Sequence, residues 1–116
     1  MGTIGTVSGE HRATGVDLPG SASVTTRGGA TVLLLDGEID AAVVRAFEHH
    51  HGGSAEPAVD VIDAERVTFI DSLGLRLMVR CRQRAAEQGR VTALRSPSPP
   101  VRRVLSMTGL GALFAA

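Results

Sequence analysis

A chain of 116 residues without a long apolar run has room for one domain, and its twelve arginines cancel its twelve carboxylates, with lysine absent. The balance hides two opposite halves: residues 1–71 hold eleven carboxylates against four arginines, net −7, whereas residues 72–116 hold Glu87 against eight arginines, net +7. A basic field over the whole chain is therefore excluded, and the lone Cys81 excludes an internal disulfide or a cysteine-rich metal site.

Apolar residues make up 43% of the chain, enough for a core of Val, Leu, Ile and Ala around three aromatics, all Phe. Lys, Asn, Tyr and Trp are absent, and since the codons of the first three are AT-biased, a GC-rich bacterial source is expected. Residues 1–21, rich in Gly, Thr and Ser, read as a flexible lead-in to a domain over 22–116. No basic start followed by an apolar block occurs in residues 1–20, so the expected compartment is the cytoplasm, without a membrane anchor.

Strands are predicted over about 22–27 and 31–36, joined by Gly28-Gly29, a pair suited to the positive φ of a tight hairpin. Asp40 is placed to cap a helix over about 41–51, in which Val43, Val44 and Phe47 recur at helical spacing and which Gly52-Gly53 ends. The β-branched run at 58–64 follows as a strand, and a strand after a short helix implies a parallel crossover. A long helix from about Ser72 to Gln88, a strand at 91–95 and a third helix complete the order. That third helix opens at Ser98-Pro99 with a capping hydroxyl and closes at Gly109. The result is an α/β domain: an open mixed sheet with an N-terminal hairpin and helices packed on it.

On the long helix, Arg76, Arg80, Gln83, Arg84 and Glu87 share a solvated arc, while Leu77, Met78, Cys81 and Ala85 share the arc assigned to the core. A third strip carries Leu75, Val79, Arg82 and Ala86. Arg82 there either snorkels across a core margin or belongs to a partner-binding surface. Ahead of this helix an apolar stretch, read as buried, runs into Asp71, Ser72, Leu73 and Gly74 at a strand-to-helix junction. Free amides at a helix start favour negative charge, either the capping carboxylate of Asp71 or an added phosphate.

Three separated segments carry more specific wording: Gly37-Glu38-Ile39-Asp40, then Val67-Thr68-Phe69-Ile70-Asp71-Ser72-Leu73-Gly74-Leu75, then the stretch from Ser98-Pro99-Pro100-Val101-Arg102-Arg103 to Gly109-Leu110. Together, in order and spacing, they resemble the anti-sigma factor antagonist family of STAS domains over about Ser23 to Phe114. The resemblance implies that Ser72 is phosphorylated by an anti-sigma factor with serine kinase activity. It also implies that the unmodified protein binds that factor, that phosphorylation releases it, and that a phosphatase resets the serine. Asp71 matches the acidic residue beside the serine and Asp40 the acidic residue of a nearby loop. The implied partner-binding set is Asp40, Asp71, Ser72, Leu73, Gly74 and Leu75, with Val79 and Arg82 from the third strip of the long helix.

Two departures from the family pattern stand out. Leu73 occupies a position that is usually small or polar, and the C-terminal helix common in the family is missing or shortened. A missing helix would leave apolar surface open, favouring a homodimer or a covering partner. These departures motivate the alternative reading, a STAS subunit of a transporter or signalling scaffold that is never phosphorylated. No catalytic residue, cofactor or metal is expected. Ser72 lacks a histidine base in the second half of the chain, His49-His50-His51 sits at a helix end suited to the dipole, and Cys81 lies on the core arc. Arg95, Arg102 and Arg103 could form a basic edge, but without stacking aromatics direct nucleic-acid binding is not expected.

Overall fold

The computed structural model describes residues 18–51 and 56–115. Its elements run β1 (Gly20–Arg27), β2 (Ala30–Ile39), α1 (Ala41–His50), β3 (Val61–Ile70), α2 (Ser72–Glu87), β4 (Ala93–Arg95) and α3 (Pro99–Thr108), followed by a 3₁₀ turn at Leu110–Leu113. The four strands lie in sequence order in one sheet, β1 antiparallel to β2 and the other pairs parallel. This is the expected hairpin-edged α/β order. Gly28 and Gly29 take φ of 56° and 84°, the left-handed pair that a two-residue hairpin between right-twisted strands requires. Most of the expected lead-in, and Gly52-Gly53, lie outside the described residues.

One register row explains the packing. Val24, Leu33, Ile62 and Leu94 are partners across all four strands, and all contribute to the core. The adjacent row, Ser23, Leu34, Asp63 and Arg95, faces the other way, and Arg27 reaches Asp63 at 3.1 Å. The buried side chains Val43, Val44 and Phe47 of α1, Leu77, Met78 and Cys81 of α2, and Val101 and Leu105 of α3 join the same cluster as the first row. The sheet is thus apolar on the face that the helices cover, while Ser21, Ser23 and Thr25 of β1 are exposed on the other.

Four elements differ from expectation, β2 among them, which runs on past residue 36 to Ile39. β3 does not stop near residue 64 but runs to Ile70, because its pairing with β2 shifts register twice, between Leu34 and Asp36 and between Gly37 and Glu38. At each shift β3 carries an extra residue, so its later inward positions are Ala64, Val67 and Ile70, spaced by three rather than two. β4 is shorter than expected, and its edge is extended only by a bridge from Ala93 to Ala115. Ser98 is the N-cap of α3 as expected, but its buried hydroxyl has no hydrogen-bond partner. Pro100 removes the second-position amide, one of the two that such a hydroxyl accepts from, and the remaining one, of Val101, makes no hydrogen bond to it. Gly109, at φ 73°, closes the helix as expected.

Candidate functional site

Parallel strands β2 and β3 end side by side, with Ile39 and Ile70 as register partners, and each is followed by an aspartate that starts a helix. Asp40 accepts the Val43 amide at 3.1 Å and so caps α1. Asp71 accepts the amides of Leu73 at 2.9 Å and Gly74 at 3.0 Å through one oxygen, and its own N–H donates to the Ile39 carbonyl at 3.2 Å. That last bond ties the two junctions together. The sequence therefore builds one rim at the carboxyl ends of the strands, where open α/β sheets place their ligands. Ser72, the first residue of α2, is exposed on this rim. Arg76 lies one helical turn further on, on the face that carries Ser72, and is also exposed.

Gly74 holds the rim together. A Cβ at this position would come within 2.8 Å of both the Ile39 carbonyl oxygen and Ile70 Cγ1, so the first turn of α2 sits on the strand ends only because the side chain is absent. Leu75 is buried behind it, and Leu73 is half-buried against the core.

Residues 21–115 match the STAS domain family. The chain belongs to that family. This STAS domain is similar to a crystal structure of an anti-sigma factor antagonist from Mycobacterium paratuberculosis, with 29% identity and a TM-score of 0.60 over 80% of each chain. It is also similar to the anti-sigma factor antagonist SpoIIAA in its unphosphorylated form, with 32% identity and a TM-score of 0.57, covering 80% of this chain and 84% of that one. A search of curated proteins finds no match.

Of the residues singled out from sequence, the domain brings Asp40, Asp71, Ser72 and Leu73 to the rim. Gly74 and Leu75 shape it from beneath. Val79 is half-buried and Arg82 lies about 15 Å along α2 from Ser72. Arg82 Nε donates to the Leu113 carbonyl at 3.1 Å, which ties α2 to the C-terminal 3₁₀ turn. Cys81 is buried, and burial first, then the Glu56 charge, push its thiol up to about 12, which leaves it inert as a nucleophile. His51 stands at the C-cap of α1. It packs on Phe47 with ring centres 4.4 Å apart, and burial, then His50, hold its pKa below the ordinary value. Among the described residues no cluster of His, Cys, Asp and Glu could hold a metal, and no helix is long and apolar enough to cross a membrane.

Sequence reasoning missed Phe69. Read as part of a buried run, it is instead 48% exposed, three residues before Ser72. Its register partner Glu38 is exposed as well. Only the second register shift in β3 could have signalled this, and no residue type in Val67-Thr68-Phe69-Ile70 announces it.

Proposed function

We propose that this STAS domain is a cytoplasmic anti-sigma factor antagonist, a binding protein rather than an enzyme. Unmodified, it docks through the rim of Asp40, Asp71, Ser72 and Leu73 on an anti-sigma factor with serine kinase activity and so frees a sigma factor for transcription. Phosphorylation of Ser72 releases it, and a phosphatase resets it. The observation that carries this reading is the exposed Ser72 at the start of α2 in a fold shared with anti-sigma factor antagonists.

The physical basis is local. A phosphate would add about −1.5 to −2 charges beside Asp71. The first free amides of α2 are already taken by the Asp71 side chain, so the phosphate has few backbone donors to turn to and stays in the solvent. Arg76, one turn on, is the cation that helix geometry brings beside it. A partner shaped around a neutral hydroxyl must then desolvate a dianion, while the fold loses no internal contact. The switch thus acts on affinity rather than on conformation.

The test is to incubate the purified protein with each kinase-type anti-sigma factor of its source genome and ATP, then to map phosphate by mass spectrometry. Phosphate on Ser72, with loss of complex formation afterwards, is the expected result. Absence of both binding and Ser72 phosphate with every candidate sinks the proposal.

A further inference from the structure

Four large apolar side chains are exposed among the described residues: Leu18, Phe69, Val91 and Met107. Two of them border the rim. The Glu38 N–H donates to the Pro19 carbonyl at 3.2 Å, next to Leu18, and Glu38 is the register partner of Phe69. Pro19, Glu38 and Phe69 therefore stand in a row across the ends of β1, β2 and β3, with Leu18 one residue before Pro19, on the rim that presents Ser72.

The exposure of Phe69 is built into the backbone. In a regular strand side chains alternate, so inward Val67 would put Phe69 inward and Ile70 outward. The extra residue that β3 carries opposite Gly37 and Glu38 reverses this: Ile70 enters the core at 5% exposure, and the larger ring of Phe69 is left 48% exposed. A bulge that sends the bigger apolar side chain to solvent works against burial, the main term that stabilises the fold, and bulges of this kind re-aim side chains beside functional sites.

The charge around Phe69 indicates what covers it. Glu38 is exposed and forms no ion pair among the described residues, and the carboxylates of Asp40 and Asp71 accept backbone amides and form no ion pair either, while the exposed Arg76 lies on the far side of Ser72 along α2. An acidic border around an apolar centre is complementary to a pocket with a cationic lip.

We infer that Phe69 is the apolar anchor of the docking surface, filling an apolar pocket of the anti-sigma factor that is edged by Arg or Lys facing Glu38. The inference rests on the reading of the rim as the site where that factor docks. It adds the residue that supplies affinity, whereas Ser72 supplies the switch. Aromatic side chains near the centre of an interface commonly dominate its binding energy.

The experiment titrates the purified wild-type protein and its Phe69→Ala, Phe69→Leu, Val91→Ala and Ser72→Asp variants calorimetrically into the kinase-type anti-sigma factors of the source genome. Sedimentation and thermal unfolding of each variant accompany the titrations. Phe69→Ala should weaken binding at least about tenfold with its unfolding temperature unchanged, Phe69→Leu should fall between it and wild type, and Val91→Ala, at a 74% exposed position away from the rim, should bind as wild type does. If Phe69→Ala binds as tightly as wild type while Ser72→Asp does not bind, the anchor is refuted and the switch stands. Loss with Phe69→Ala alone, Ser72→Asp binding normally, upholds the anchor and refutes the switch. No binding by wild type to any factor overturns both. A wild-type dimer that Phe69→Ala converts to monomer assigns the surface to a second copy of the chain and overturns the choice of partner.

Discussion

At the scale of single residues, the rim depends on two side chains and on the absence of a third. Replacing Gly74 by Ala sets two effects against each other. Alanine gains about 1 kcal/mol of helix propensity over glycine. Its Cβ, however, would meet the Ile39 carbonyl oxygen and Ile70 Cγ1 at 2.8 Å, and overpacking of this kind costs about 1–3 kcal/mol. One of those atoms is backbone held in the sheet and the other belongs to a buried β-branched side chain, so neither gives way easily and the steric term wins. Urea unfolding of Gly74→Ala should show a net loss of up to about 2 kcal/mol, and a gain in stability would mean that α2 does not sit where it is described. Asp71 separates structure from charge in the same region. Asp71→Ala removes the acceptor of both the Leu73 and Gly74 amides and should cost about 0.5–2 kcal/mol. Asp71→Asn keeps an oxygen in that place and should unfold close to wild type. Any change in partner affinity in the Asn variant is then an effect of the charge.

At the scale of elements, the loop before β3 is fixed by one carboxylate. Asp60 accepts the Thr31 amide at 2.8 Å and Arg90 Nε at 3.0 Å, while its backbone N–H donates to Thr31 and its carbonyl receives the Ala93 amide. It thereby joins the starts of β2, β3 and β4. The Thr31 hydrogen bond first, then that from Arg90, hold its pKa below the ordinary carboxylate value, with partial burial opposing them. A carboxylate with a lowered folded pKa contributes stability that is fully present above its unfolded value of about 3.9 and is lost as pH falls through the folded value. Asp60→Asn should therefore be less stable than wild type at pH 7, and the gap should narrow as pH drops from about 5 toward 3. Denaturation midpoints measured across that range check this, and a constant gap would mean that the charge contributes nothing. None of this was legible in the sequence, because Asp60 acts through residues thirty positions away on either side. What was legible were local signals. Gly28-Gly29 points to a hairpin, Asp40 and Asp71 each stand just before a helix, and Gly109 marks the end of α3, where it takes the left-handed conformation. The far end of β3 escaped because two register shifts replace the period of two that defines a strand, and they took Phe69 out of the core.

At the scale of the molecule, folding redistributes the charge that divides the sequence at Ser72. Much of the opposition cancels across the divide: Arg80 pairs with Glu56 at 3.0 Å and Glu48 at 3.5 Å, and Arg90 with Asp60 at 2.9 Å. Other carboxylates are met within their own half, Asp36 by Arg66 and Asp63 by Arg27. Glu38, Asp40, Glu65 and Asp71 form no ion pair among the described residues, and all but Glu65 gather on the rim, where Arg76 is the exposed cation one turn along α2 from Ser72. The net charge of zero is thus the sum of a small acidic cluster at the proposed docking site and a basic remainder that includes Arg95, Arg102 and Arg103. Such a cluster changes encounter more than residence, since fields beyond the contact are screened within about 10 Å at 0.1 M salt, whereas packing at the contact is not. The association rate with the anti-sigma factor should fall about tenfold or more between 0.02 and 0.5 M salt, with the dissociation rate nearly constant. Glu38→Gln should lower the low-salt rate and flatten that dependence, because it removes the exposed charge beside Phe69 without touching a helix cap. Stopped-flow measurements decide the point: an association rate indifferent to salt in the wild type would leave the acidic cluster with no part in steering and assign docking to apolar contact alone.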